Sequence, residues 1–297
     1  MKEDFFKQYP YLCDTFFINM NTRIEQNEVA AKELISPYRL DFMAKLLWIE
    51  AFEGRFDKTD ADKLYEAHLQ AFSNGMMVEP GQPEKKGLNS YNAMFSRICT
   101  EVKKIHGELM EFGDPIPVDG KHMAMDGAHR ISAAIFYEKR VPIYQVFKEI
   151  PNKYDYRFFQ RRYLDEEYIL EMVEKYVSVR ECRLYLLQKN QLKRSLREKI
   201  YKECAPIYMK KMLSGELVLI IDRDWIEKYG NEELVDKWVG SRYVEGTDAI
   251  INLINSLKQE LLICEKGYEC KKRLAIFMGM CWKRLKVRVK RLLGRPV

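Results

Sequence analysis

No run of about 18 apolar residues occurs in this 297-residue chain, so the sequence predicts no transmembrane helix. It also lacks any Cys-x-x-Cys pair. Its seven cysteines (Cys13, Cys99, Cys182, Cys204, Cys264, Cys270 and Cys281) are odd in number and widely spaced. That pattern argues against a disulfide framework and a zinc knuckle, and it favours a reducing, cytoplasmic compartment. Histidines are scarce: His68, His106, His122 and His129 form no ligand spacing, so no metal site is legible. Met1-Lys2-Glu3-Asp4 places acids where a secretory leader would carry a basic region and then an apolar core. Internal repeats and low-complexity segments are absent.

What is present is globular. Hydrophobic residues make up 47% and charged residues 32% of the chain, and 18 Tyr with 15 Phe can furnish a sizeable core. The length fits one large domain or two. Charge is unevenly placed. Lys271, Lys272, Arg273, Lys283, Arg284, Lys286, Arg288, Lys290, Arg291 and Arg295 lie in 270–297 without an acid; taking these ten from the net +6 leaves −4 for residues 1–269.

Wound as a helix, this tail places Leu274, Met278, Cys281, Trp282, Leu285, Val289 and Leu292 on one face. Such a composition suits an interfacial helix on anionic lipid. Three other readings stay open: a helix docked on the body, an edge strand over Leu285–Lys290, and a nucleic-acid contact. The acidic body weighs against the last, because it would repel a duplex. The expectation is therefore a cytoplasmic protein, peripheral at the inner face of the membrane through 271–297.

The most specific stretch is Met125-Asp126-Gly127-Ala128-His129-Arg130-Ile131-Ser132-Ala133-Ala134. Pro115–Val118 reads as a short strand ending at the Asp119-Gly120 turn, and His122–Met125 reads as a second extended run. Asp126-Gly127 breaks it, and from Ala128 the apolar positions Ile131, Ala134 and Ile135 take helical spacing. Val141–Val146 reads as the return strand.

A helix start of this kind favours phosphate. The first four N–H groups lack intrahelical partners and lie at the positive end of the helix dipole. Gly127 admits a close approach, Arg130 offers a bidentate fork, and His129 can donate near neutral pH. Asp126 can cap the helix, hold a metal ion or accept a hydroxyl proton. The plainer alternative is a cap, a turn glycine and a surface arginine.

Gly127-Ala128-His129-Arg130-Ile131-Ser132-Ala133-Ala134 resembles the Gly-x-(His/Arg)-Arg-x-x-Ala-Ala box of the ParB/sulfiredoxin superfamily. Ile116-Pro117-Val118 and Val141-Pro142-Ile143 resemble that fold's flanking strands, and the resemblance covers about residues 78–150. The superfamily includes chromosome-partitioning CTPases, sulfiredoxin and kinases of free serine. The box is also similar to that of ParB-like proteins encoded among bacterial surface-polysaccharide genes.

The resemblance implies an α+β fold, a small mixed sheet with helices that binds nucleotide phosphates on Gly127, Ala128, His129 and Arg130. ATP or another nucleotide with Mg²⁺ is the implied cofactor. Sulfiredoxin chemistry is disfavoured, because Ala128 stands where that enzyme has its reactive cysteine. Asp126, at a position that varies in the superfamily, and His129 are candidate catalytic residues. The carboxylate of the kinase branch lies upstream of the box; Glu79, Glu84 and Glu111 are candidates, and Glu79 sits in a segment rich in Pro, Gly and charge that reads as a loop.

The resulting division is a helical N-terminal section (1–77), the nucleotide-binding domain (78–150), an α/β accessory region (151–269) and the basic tail (270–297). Helices are expected from a Ser36-Pro37 cap to Gly54, from a Thr59 or Asp60 cap through Leu64, His68 and Ala71, and from a Ser90 cap through Tyr91, Phe95, Ile98 and Val102. His68 reads as a core or seam histidine. Tyr154–Arg162, aromatic and basic, can either stack a base and hold its phosphate or link two elements with its aromatics packed inward.

Asp165 is expected to cap a helix, with strands at Leu184–Leu187 and Leu217–Ile221 and a charged helix over about 191–203 between them. Asp222-Arg223-Asp224 can supply ligands or caps. Trp238–Gly240 should end a helix, and Thr247 should cap another running to about Cys264. Two functions follow. The first is a nucleotide-dependent phosphotransferase acting on a small hydroxyl compound or sugar intermediate, in a surface-polysaccharide setting. The second is a nucleotide-gated switch contacting DNA or a membrane complex, for which 150–210 offers no helix-turn-helix.

Overall fold

The computed structural model describes residues 2–79, 82–110, 113–150, 153–187, 194–212, 216–231, 233 and 243–261. Residues Met1–Ile251 form one compact unit and Asn252–Val297 a second. The fold is α+β. The basic tail, the Trp238–Gly240 helix end and residues 262–264 of the helix expected to reach Cys264 lie outside the described residues.

Two short helices, α1 (Lys2–Gln8) and α2 (Pro10–Phe16), lead into strand β1 (Ile24–Ala30). This strand corrects the expectation of a helical N-terminal section. β1 pairs antiparallel along its length with β5 (Arg140–Val146), and β5 pairs parallel with β4 (Ile116–Asp119). The small mixed sheet, in order β1-β5-β4, therefore draws one edge from beyond the boundary expected at 77. β1 escaped notice because only Ile24 and Val29 of its seven residues are buried, with three exposed residues between them in place of a strict alternation.

Helix α3 (Asp41–Phe52) is the centre of the core. Ten of its twelve residues are buried, as expected of a helix apolar on all sides. It packs on α4 (Lys58–Phe72), α6 (Ala128–Phe136) and α8 (Glu166–Val179). Its start lies five residues beyond Ser36. The backbone of Tyr38 and Leu40 is bonded to that of Tyr154 (Tyr154 N to Tyr38 O, 2.8 Å; Leu40 N to Tyr154 O, 3.0 Å), so the segment turns and forms a single bridge at Arg39 before the helix begins. The Ser36 hydroxyl instead accepts the Tyr38 N–H.

The cap of α4 is Asp57, which accepts the Thr59 and Asp60 N–H groups at 2.8 and 3.0 Å, and not Thr59 or Asp60. Leu64, His68 and Ala71 are buried on its inner face as expected. A hairpin, β2 (Val78–Glu79) with β3 (Gln82–Lys86), stands where a loop was expected. α5 (Leu88–Lys103) starts from Gly87, with the Ser90 hydroxyl accepting the Lys86 N–H; Tyr91, Phe95, Ile98 and Val102 form its buried stripe.

Downstream, α7 (Tyr156–Arg161) and α8 precede a four-stranded antiparallel sheet in the order β7-β8-β6-β9. Its strands are β6 (Cys182–Leu187), β7 (Tyr208–Lys211), β8 (Leu217–Asp222) and β9 (Tyr243–Glu245), with α9 (Arg194–Cys204) and α10 (Arg223–Tyr229) between them. β6 and β8 are the two strands expected from their apolar runs; β7 and β9 are additional. Trp225 of α10 packs edge-on against Tyr38 at 5.5 Å. Its neighbours in the same cluster include Phe5, Tyr9, Ile24 and Val146, so α10 packs on the core of the first sheet, while Tyr185, Leu217, Leu219 and Ile221 of the second sheet form a cluster of their own with α9. Helical backbone is described over 247–261, which places Thr247 inside that helix.

Candidate functional site

The turn before α6 is built from β4. Asp119, buried at the end of that strand, accepts the N–H groups of Lys121 and Met123 at 2.8 and 2.9 Å, which folds the chain back on itself. Burial pushes its carboxyl above the usual range, and these backbone donors oppose that push. The returning segment forms one bridge, Val118 with Ala124, and Met125 N bonds Pro117 O at 2.8 Å. The second extended run is thus a single bridge. The buried Arg39 holds it from behind, donating Nη1 to the Ala124 carbonyl and forming a bidentate pair with Asp41 at 2.8 and 2.9 Å.

Gly127 is the N-cap of α6 with φ +78° and ψ +21°, a left-handed conformation that costs glycine little. No side chain caps the helix. Asp126 corrects the capping alternative: its Oδ1 accepts the adjacent Gly127 N–H at 2.6 Å, and its Oδ2 accepts the Tyr11 hydroxyl. Ala128, the first helical residue, contributes backbone and a methyl group.

The three polar side chains at this helix start face three different walls. Asp126 faces Tyr11 of α2. Arg130 turns toward 113–115, donating Nη1 to the Asp114 carbonyl at 2.5 Å. The Tyr9 hydroxyl, which donates to the Pro115 carbonyl at 2.9 Å, lies close enough for Arg130 to counter the upward push of burial on its pKa.

His129 turns between α4 and α5. Its Nε2 meets the Tyr65 hydroxyl at 2.7 Å, and its ring lies edge-on to Phe95 at 4.8 Å and tilted to Tyr91 at 6.3 Å. Both His129 and Arg130 are half-buried. One turn further on, the buried Ser132 hydroxyl has no hydrogen-bond partner among the described residues.

Glycine is also required at 113. A Cβ there would lie 2.8 Å from Arg130 Nη1, and φ is +81°. Gly113 and Gly127 therefore flank the guanidinium.

Of the upstream carboxylates, Glu111 lies outside the described residues. Glu79 and Glu84 are described by their backbone alone, in the β2–β3 hairpin. Among the described residues no three His, Cys, Asp or Glu side chains come together as a metal cluster. The aromatic–basic stretch 154–162 divides its roles. Tyr156 and Phe159 are buried, and Arg162 donates to the Ala71 and Phe72 carbonyls at 3.1 and 2.8 Å. Asp222 is a cap: it accepts the Trp225 N–H at 2.9 Å and pairs with Arg180.

Tyr11, Tyr65 and Arg39 are the site residues that sequence reasoning missed. Tyr11 and Tyr65 lie 115 and 64 positions from their partners. Among 18 tyrosines no local pattern marks them. No family model, curated protein or solved structure matches this chain.

Proposed function

We propose that the start of α6 is a phosphate-binding site for a nucleotide, and that the protein is a nucleotide-dependent phosphotransferase acting on a small hydroxyl compound or sugar intermediate. The observation that carries this reading is the uncapped start of α6 at left-handed Gly127, with Arg130 on one side and Asp126 on the other. Backbone N–H groups and the helix dipole favour an anion there. The ParB/sulfiredoxin-like box, with its small mixed sheet, agrees with the same reading.

A carboxylate beside an anion site repels phosphate unless a cation lies between them. Asp126 therefore fits a divalent ion that is held by one carboxylate and by the phosphates themselves, a common arrangement for Mg²⁺. Such an ion would neutralise charge on the transferred group. Arg130, swung from the Asp114 carbonyl, stabilises that charge from the other side. His129, tied to Tyr65, orients the helix start. Glu79 remains the candidate carboxylate for the acceptor hydroxyl. The basic residues of 271–297 would bring the protein to anionic lipid; co-sedimentation with anionic vesicles, lost on deleting 271–297, tests that part.

The central test is a panel of ATP, ADP and CTP with Mg²⁺, read as melting temperature and then as products. A ligand that binds the native state alone raises the transition. The reading requires a rise with at least one nucleotide, its loss in Arg130→Ala, and transfer of phosphate to an added hydroxyl acceptor. No rise with any nucleotide, or an equal rise in Arg130→Ala, rejects the site. A rise without turnover rejects the transferase and leaves a nucleotide-binding protein.

A further inference from the structure

A cleft of about 250 Å³ opens between α7, α9 and the edge strand β7, and none of its lining belongs to the α6 site. Its polar wall is formed by Arg157, Arg197, Lys210, Lys211 and Glu198. The charges do not balance. Arg157 is paired with Glu198 at 3.0 Å and lies over the Tyr201 ring at 3.7 Å, so it is held in place. Lys210 is 3.5 Å from Glu166. Among the described residues Glu198 in the lining and Glu166 behind Lys210 thus offset two of the four cations, and the excess of two positive charges comes from Arg197 and Lys211.

Lysines on an edge strand are an ordinary guard against unwanted strand pairing, and by themselves they say nothing of a ligand. Arg197 is different: its Nε is buried with no hydrogen-bond partner among the described residues. A guanidinium donor taken out of water and left unpaired is costly, and a small turn of this half-buried side chain toward an acceptor in the cleft removes that cost. The cleft also has an apolar side, formed by Met209 and Leu217.

We propose that this cleft binds a small phosphate monoester, with its phosphate against Arg197 and Lys211 and its carbon body against Met209 and Leu217. A phosphate monoester carries between −1.5 and −2 charges near neutral pH, which matches the excess. Planar guanidinium groups suit its oxygens. The volume admits a metabolite of a few carbons and is small for a nucleotide. Arg157 forms the side of the cleft and keeps Glu198 from meeting the incoming anion. Arg157 of the 154–162 stretch therefore serves this cleft, whereas Arg162 is bonded to the carbonyls of Ala71 and Phe72.

The experiment uses the full-length protein and glycerol 3-phosphate as probe, with glycerol, inorganic phosphate and sodium chloride at equal ionic strength beside it. Binding is read by calorimetry and by melting temperature. Glycerol 3-phosphate should bind saturably, inorganic phosphate more weakly, and glycerol not at all. Lys211→Ala should weaken binding roughly tenfold, the loss of one charge-assisted contact. Arg197→Gln should weaken it at least as much, and Arg130→Ala should leave it unchanged. Lys211 is exposed, so its variant keeps the test intact even where Arg197→Gln disturbs folding. The proposal is overturned by an absence of binding, by binding that chloride reproduces, by equal binding in the Lys211 and Arg197 variants, or by binding that Arg130→Ala abolishes.

Discussion

The Tyr65 hydroxyl meets His129 Nε2 at 2.7 Å, joining α4 to the first turn of α6. The histidine that a local motif offers to solvent is thereby turned toward an aromatic wall of Tyr91 and Phe95. Its direction is set by a residue 64 positions upstream.

This bond predicts energetic coupling. Tyr65→Phe keeps the ring and removes the hydroxyl, and should cost about 1 kcal/mol of stability. His129→Gln should cost a similar amount. In a double-mutant cycle by urea denaturation the two losses should be non-additive by roughly 0.5–1.5 kcal/mol. Additive losses would mean that the two groups do not hold each other in solution.

The glycines around Arg130 predict two separable effects. Gly127→Ala forces a left-handed alanine and brings its Cβ within 3.4 Å of Arg130 Nη2 and Ile116. It should destabilise the protein by about 1–2 kcal/mol. At Gly113 the crowded atom is the far end of a flexible side chain. Gly113→Ala carries the same left-handed strain at φ +81°, and should in addition displace the guanidinium and reduce any nucleotide-induced melting shift much as Arg130→Ala does. An unchanged shift in Gly113→Ala would detach Arg130 from the site.

Asp222 predicts a stability effect far from that site. Fully buried, it accepts the Tyr176 hydroxyl at 2.6 Å, the Trp225 N–H at 2.9 Å and a bidentate contact from Arg180 at 2.9 and 3.2 Å. Tyr176→Phe should cost about 1–2 kcal/mol. Asp222→Ala uncaps α10, removes the acceptor of the buried Tyr176 hydroxyl and leaves Arg180 paired with Asp224 at 3.1 Å, and should cost about 2–4 kcal/mol. Guanidinium denaturation of the two variants measures both. Equal losses would mean that the arginine pair adds nothing beyond the tyrosine bond.

The sequence was legible where one strong local rule acted alone. The Asp126-Gly127 break, the helical spacing after it and the apolar runs of β6 and β8 are local, and each led to the right element. So did the stripe of α5 and the inner face of α4, because a helix that buries one side declares its period. The misses have distant causes. Ser36-Pro37 looks like a helix start, but Tyr154 competes for the backbone of 38–40 and delays α3 to Asp41. β1 is too polar to announce itself and exists because β5 offers it an edge. At the candidate site the residue types at the helix start were readable, but the partners that aim them, Tyr11, Tyr65 and Arg39, come from elements far along the chain.

Acid should destabilise this fold in two steps, both read from charges behind α6. His68 is 1% exposed, and neither ring nitrogen has a hydrogen-bond partner among the described residues. Burial, with Lys45 and Arg39 nearby, holds its pKa well below the usual value, while Asp41 works against that shift. The native histidine is therefore neutral, whereas in the unfolded chain it takes a proton below about pH 6.5. The unfolded state then binds more protons, so stability falls as pH drops from there, by up to about 1.4 kcal/mol per pH unit.

Asp41 acts lower. Its burial is outweighed by Arg39 and Lys45, which hold its carboxyl far below the usual carboxylate range. That contribution is complete above about pH 4 and is lost as pH falls below it. Urea denaturation from pH 7 to pH 3 should show both slopes. His68→Leu should flatten the upper one and leave the lower. Asp41→Asn strands two buried cations, so it should cost about 3–5 kcal/mol at neutral pH and flatten the lower slope. A His68→Leu variant whose stability between pH 6.5 and pH 5 falls as steeply as that of the parent would assign the upper slope to another group.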